Sequence, residues 1–169
     1  PSEALFQGEG RIALYNNIFV ATGSAVRVQT HNGSVRDVRI FNNTVVAQGD
    51  GIAVSGGVAG STQLVRGNAV FAGGGVRVTS TGGSATQNVV DTHANAANWL
   101  VQPDAAVGSL DAYPRSDVLR QDALDNAALT SLPDAAVDFN GATRDPRDRG
   151  AYTGFGSNPG WRLAIDNKP

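Results

Sequence analysis

The chain has 169 residues, a formal net charge of −2 and no cysteine. That length suits one domain. The near balance of charge excludes a general binder of nucleic-acid phosphates, which needs a basic surface. The missing cysteines exclude a disulfide framework and a thiolate metal site. No segment is apolar enough over enough residues for a signal peptide or a membrane span. The chain also lacks methionine, so residue 1 is not a translational start.

In chain order, one small pattern returns four times: Leu14-Tyr15-Asn16-Asn17-Ile18-Phe19, Ile40-Phe41-Asn42-Asn43-Thr44-Val45, Val65-Arg66-Gly67-Asn68-Ala69-Val70 and Ala85-Thr86-Gln87-Asn88-Val89-Val90. The second asparagines are separated by 43 − 17 = 26, 68 − 43 = 25 and 88 − 68 = 20 residues. A fixed period of roughly 20–30 residues with apolar flanks marks a solenoid. After each of the first three patterns comes a second alternating segment: Val26-Arg27-Val28-Gln29, Ile52-Ala53-Val54-Ser55 and Val76-Arg77-Val78-Thr79. Alternation of period two predicts half-buried strands. Thr22-Gly23-Ser24, Gln48-Gly49-Asp50-Gly51 and Gly73-Gly74-Gly75 supply turn chemistry between them. Each unit therefore reads as strand, asparagine turn, strand, glycine turn, strand and loop.

Three short strands per unit predict an all-β fold, a right-handed parallel β-helix with three strands per coil. Coils stack at about 4.8 Å, the ordinary strand spacing. The asparagines suit the corners for two reasons. Asn tolerates the left-handed backbone region, and its amide can hydrogen-bond to an amide stacked above it. Residues 1–94 are assigned to coils. Residues 95–169, rich in Ala, Asp and Pro, are assigned to an irregular tail of the same domain that packs on the coils or caps them. Within the tail, Ser116 to Leu124 is expected as a short helix with Ser116 as N-cap. Pro-Asp-Ala-Ala-Val occurs at 103–107 and again at 133–137, a repeat readable as a degenerate coil or as coincidence. Missing upstream coils or another chain are expected to cover the open N-terminal end.

The repeats at 11–92 and the tail segment Asp138-Phe139-Asn140-Gly141-Ala142-Thr143-Arg144, followed by Gly150-Ala151-Tyr152, carry a resemblance. The chain resembles the pectate-lyase-like superfamily of right-handed β-helix proteins, and more narrowly the C-terminal part of bacterial secreted β-helix repeat proteins. Many such proteins have an acid after the tyrosine, where Thr153 stands here. The resemblance implies an extracellular, cell-surface or periplasmic setting and, for many members, polysaccharide substrates. It implies no particular reaction.

The usual site in this fold lies on the outer face of one sheet. Here the outward residues of the third strands read Arg27, Ala53 and Arg77, with Gln29, Ser55 and Thr79 alongside. Two stacked arginines could grip successive anionic sugars, and Arg27, Gln29, Ser55, Arg77 and Thr79 form the candidate substrate-binding set. The competing reading is a solvated sheet face. No carboxylate falls in the column, so a two-carboxylate hydrolase is disfavoured, and any enzyme would resemble a lyase with an arginine base. A carbohydrate-binding protein without a complete active site is the expected function, with a non-catalytic adhesive or assembly domain as the alternative. No catalytic residue is assigned.

His31 and His93 lack neighbours at metal-ligand spacing. Asp138, Asn140, Asp145 and Asp148 offer oxygens for Ca²⁺, but pairing of Asp145 and Asp148 with Arg144, Arg147 or Arg149 is the favoured reading. No resident metal or cofactor is assigned. Trp99, Trp161, Tyr113 and Tyr152 are read as core-sealing aromatics of the tail.

Overall fold

The structure is a computed structural model that describes residues 11–29 and 35–163. His31 and the loop beside it lie outside the described residues. Eleven strands build three parallel sheets: β1 (Arg11–Tyr15), β2 (Ile18–Ala21), β3 (Val26–Val28), β4 (Val35–Phe41), β5 (Thr44–Ala47), β6 (Ile52–Val54), β7 (Gly57–Arg66), β8 (Ala69–Ala72), β9 (Val78–Ser80), β10 (Ser84–Thr86) and β11 (Val89–Asp91). The first sheet has the order β1-β4-β7-β10, the second β2-β5-β8-β11 and the third β3-β6-β9. Every third strand pairs in parallel, so each of the first three circuits adds one rung to every sheet and the fourth adds one to the first two. The fold is all-β, as the period-two alternation requires.

The apolar positions of all three sheets face one another. Val38, Ile40, Val45, Ala47, Ile52, Val54, Val65, Val70 and Ala72 form an enclosed core. Like residues stand in register: Leu14 beside Ile40, Ile40 beside Val65, and Val65 beside Ala85. One polar residue intrudes. Gln63 is 2 % exposed, and its Nε2 donates to the Val35 carbonyl at 2.8 Å.

The asparagines form a continuous ladder with a fixed direction. The backbone N–H and Nδ2 of Asn17 donate to Oδ1 of Asn43 at 3.0 and 3.1 Å. Asn43 donates in the same two ways to Asn68 at 3.0 and 2.9 Å, and Asn68 to Asn88 at 3.0 and 2.9 Å. Each amide also reaches a carbonyl of the preceding rung: Asn43 to Leu14, Asn68 to Ile40 and Asn88 to Val65, at 2.9–3.0 Å. The left-handed backbone falls one residue earlier than the ladder. Asn16, Asn42, Gly67 and Gln87 have φ of 56°, 52°, 69° and 54°. The corner thus divides its two requirements between adjacent residues. One bends the chain and the other fills the bend with an amide.

The tail is a short α1 (Ala96–Trp99), an antiparallel pair β12 (Leu100–Gln102) and β13 (Asp111–Pro114), and turns. It packs along the side, where Val46, Ala69, Phe71 and Val89 on the outer face of the second sheet join Ala96, Leu100, Leu110, Ala112, Leu119, Ala151 and Tyr152 in a second core. The expected helix after Ser116 is only a 3₁₀ turn, Asp117–Leu119, without a side-chain cap. Arg120 returns to extended backbone and bridges to Asp148, which pulls the chain out of helical geometry. The two Pro-Asp-Ala-Ala-Val copies are turns rather than coils.

Asn68→Ala leaves the buried Asn43 N–H without its acceptor and takes one partner each from Asn43 Nδ2, which keeps the Leu14 carbonyl, and from the Ile40 carbonyl, at about 1–3 kcal/mol for each buried group left unsatisfied. Asn17→Ala, at the end of the ladder, removes no acceptor used by another rung. Urea unfolding should therefore show a loss of about 3 kcal/mol or more for Asn68→Ala and about 1 kcal/mol for Asn17→Ala. Equal losses would mean that the ladder does not act as a chain.

Candidate functional site

The third sheet presents the candidate face. Arg27 stands beside Ala53, and Ala53 beside Thr79. Arg77 is not in that column. The sequence alignment places Val76 opposite Ile52, whereas the structure places Val78 there. Ile52 N–H donates to the Arg77 carbonyl at 2.8 Å, and Gly51 N–H to the Val76 carbonyl at 2.9 Å. A slip of one residue would have turned the apolar positions outward. A slip of two keeps every side chain on its face, so alternation alone cannot detect it. The longer turn is held by Asp50, whose Oδ1 accepts the Val76 N–H at 3.0 Å. Gln29 and Ser55 are exposed beyond the first column. Thr81, whose N–H donates to the Val54 carbonyl at 2.9 Å, follows them on the last rung. It was hidden by the same slip.

The five candidates therefore divide. Arg27 and Thr79 share one column, Gln29 and Ser55 lie beside it, and Arg77 sits at the turn near Asp91. The Asp91 carboxyl is held below its ordinary value chiefly by the Asn95 amide, with help from the Thr92 N–H, Trp99 and the Arg77 charge. Arg27 is exposed and has no ion-pair partner among the described residues.

The tail decides which faces stay open. It covers the second sheet through its core and crosses onto the first. Arg39 donates to the Ala128 carbonyl at 2.8 Å, Tyr15 Oη to the Pro133 carbonyl at 2.6 Å, and Arg66 pairs with Asp125 at 3.7 Å. Among the described residues, no hydrogen bond or ion pair joins the tail to β3, β6 or β9.

The tail segment from Asp138 to Tyr152 is a clasp along the row of corners. Arg144 donates to Asn16 Oδ1 at 2.9 Å, Ala151 N–H to Thr44 Oγ1 at 2.9 Å, Gly150 N–H to the Gly67 carbonyl at 2.9 Å, and Arg149 Nε to the Gln87 carbonyl at 2.9 Å. All four corners are held. Burial pushes the Arg144 guanidinium down to about 10, against the attraction of Asp138 and Asp148.

The tail acids serve this clasp, and the favoured pairing with arginine is seen for Asp145 and Arg147. Asp138 accepts the N–H groups of Asn140, Ala142 and Thr153 at 2.8–2.9 Å. Asp148 accepts Thr153 Oγ1 at 2.6 Å and the Gly154 N–H at 2.8 Å. Asn140 Oδ1 accepts the Trp161 N–H at 3.2 Å. Asp145 pairs with Arg147 at 2.8 Å and Arg120 at 2.6 Å, and Asp148 with Arg120 at 3.3 Å. Arg120 is thus the partner that sequence spacing missed, while Arg144 and Arg149 donate to backbone and amide oxygens. Among the described residues, no three His, Cys, Asp or Glu side chains group so as to hold a metal ion. His93 lies 3.5 Å from Asp104.

The tail aromatics meet edge-on or tilted. Tyr113 and Tyr152 are 5.0 Å apart, Phe139 and Tyr152 5.4 Å, and Phe139 and Trp161 5.5 Å. Trp99 lies 6.0 Å from Phe71 and donates to Asp91 at 2.8 Å. A hollow of about 580 Å³ opens where β1 and the first corner meet the tail, lined in part by Leu14, Tyr15, Asn17, Val137 and Phe139.

With this geometry in hand, no family model matches the chain, and no curated protein or solved structure matches it.

Two outcomes test the clasp. Gly67→Asn would copy Asn16 and Asn42, yet its Cβ would lie 2.5 Å from Leu124 Cδ1 and 2.6 Å from Asn42 Oδ1. It should destabilise by about 1–3 kcal/mol, and Leu124→Ala should recover part of that in a double-mutant cycle. An additive pair would show that Leu124 does not set the glycine. Asp145 is the second case. Its hydrogen bonds from Arg147, then the charges of Arg147 and Arg120, hold its carboxyl well below the ordinary range. A lowered folded value stabilises the fold above the unfolded pKa, about 3.9. That contribution is lost as the pH falls below this value. Asp145→Asn should flatten the acid limb of a stability–pH curve below about pH 4, and an unchanged limb would contradict the assignment.

Proposed function

We propose that the chain is a segment of a right-handed parallel β-helix that binds an acidic polysaccharide along the outer face of its third sheet, without a complete catalytic site of its own. The observation that carries this reading is that the tail leaves this face bare while packing on the second sheet and on the corner end of the first. Handedness follows from the strong preference of parallel crossover connections for the right-handed form. The face offers a free cation at Arg27 and hydroxyl or amide groups at Thr79, Thr81, Ser55 and Gln29. Arg27 and Thr79 are two rungs apart, about 10 Å at the ordinary strand spacing. Side chains repeating along a straight axis suit a linear polymer better than a compact ligand.

Binding without chemistry follows from what surrounds Arg27. A β-elimination needs a base and a second positive group for the developing enolate, and Arg77 has moved out of the column. A hydrolase needs two facing carboxylates. Asp50, the acid in the turn before β6, is bonded to the Val76 N–H. The resemblance to pectate-lyase-like proteins supports a secreted or cell-surface setting and a carbohydrate ligand. A second reading, a structural or assembly module, is favoured by the uncovered last rung of the stack.

Titration with polygalacturonate and with a neutral glucan separates the readings. Binding of the uronate polymer should weaken about tenfold in Arg27→Ala, the loss expected when one charge-assisted contact of about 1.5 kcal/mol is removed. Arg77→Ala should leave it unchanged, and no ultraviolet signal of an unsaturated uronate should appear. No uronate binding, or equal binding by Arg27→Ala, would remove the proposal.

A further inference from the structure

We infer that the two ends of the stack fit each other, so that the last rung of one copy docks on the first rung of a second copy in a head-to-tail contact. The inference is independent of the polysaccharide reading. Among the described residues β1, β2 and β3 are the edge strands at one end, and β9, β10 and β11 those at the other. Unpaired edges are templates for further pairing.

Three observations select the opposite end of another copy as the occupant. The first is the polarity of the ladder. Along the ladder Asn17, Asn43 and Asn68 each give the backbone N–H and one Nδ2 hydrogen to the Oδ1 of the later rung, while Nδ2 of Asn43, Asn68 and Asn88 also reaches a backbone carbonyl of the earlier one. Among the described residues, the Asn88 N–H at the last rung has no acceptor and Asn17 Oδ1 at the first rung has no donor. Donor therefore meets acceptor only when the last rung of one copy faces the first rung of another. Two last rungs would bring donors together.

The second is size. The interior columns run Leu14, Ile40, Val65, Ala85 and Phe19, Val45, Val70, Val90. Head-to-tail contact sets Ala85 over Leu14 and Val90 over Phe19, a small residue against a large one. Val90 is 42 % exposed although its position faces the core, and Ala85 is exposed as well. The third is the hollow beside Tyr15 and Asn17, whose far wall is Val137, Asp138 and Phe139 of the tail. The tail overhangs the first corner there and leaves room for one more corner, that of Gln87 and Asn88. The contact is heterologous and does not close, so it builds an open series rather than a symmetric dimer.

The absence of cysteine makes the test clean. Ala13, Arg39, Leu64 and Ser84 share one outward column, so Ala13 and Ser84 become neighbours across the proposed contact. Adjacent strands lie about 4.8 Å apart, within the Cα separation that a disulfide spans. Chains carrying Ala13→Cys and chains carrying Ser84→Cys, mixed and oxidised, should form a mixed dimer, while neither alone dimerises. The doubly substituted chain should form a ladder of covalent oligomers. Val90→Arg, or Ala85→Lys if the first impairs folding by circular dichroism, should abolish both products with the melting temperature unchanged. Ser84→Cys joining only to itself would overturn the polarity. No covalent product, with a sedimentation coefficient independent of concentration, would overturn the contact.

Discussion

The stacked corner carries the rest of the structure. A parallel strand must turn sharply into the next sheet at the same height on every rung. The turn leaves backbone groups buried that no strand can reach, and an unpaired buried N–H or carbonyl costs about 1–3 kcal/mol. The ladder asparagine resolves this locally. Its Oδ1 takes the N–H of the rung before it, and its Nδ2 reaches that rung's carbonyl, as Asn68 does with Asn43 and Ile40. The residue before it takes up the left-handed backbone. Because each amide depends on its neighbour, the rungs are held in register as a set. The apolar columns can then align within the enclosed core.

That same row of corners is the surface on which the tail is built. Arg144, Gly150, Ala151 and Arg149 each bond to a different corner. The tail thus measures the height of the stack. Its conspicuous charges are spent on this task, as Asp138 and Asp148 show by accepting backbone and hydroxyl protons inside the clasp. Gly67, which breaks the asparagine pattern of the corners, is explained by the approach of Leu124. Among the described residues the tail lies on the second sheet and on the corner end of the first, the third keeps a polar outer face, and the last rung keeps an open edge.

Much of this was legible in the chain itself. The recurrence of Asn17, Asn43, Asn68 and Asn88 with apolar flanks placed the corners, because a period and an alternation are properties of sequence spacing. The first two strands of each unit were placed correctly for the same reason. The candidate face was legible as a face but not as columns. Arg77 and Thr79 exchange roles under a two-residue slip that leaves inside and outside unchanged, and the turn that causes it is fixed by a bond between Asp50 and Val76. Arg120 as partner of Asp145 and Asp148 was invisible, since 25 residues separate Arg120 from Asp145.

Local spacing therefore determined the all-β character, the rung and the asparagine corner. Tertiary structure decided the register of the third sheet, the lateral course of the tail and the faces left open. The physical reason is range. Alternation and turn preference act between residues adjacent in the chain, and each residue reports them directly. A clasp such as Arg144 to Asn16 joins groups 128 residues apart. It exists only after the stack has set the corners at the spacing the tail can span.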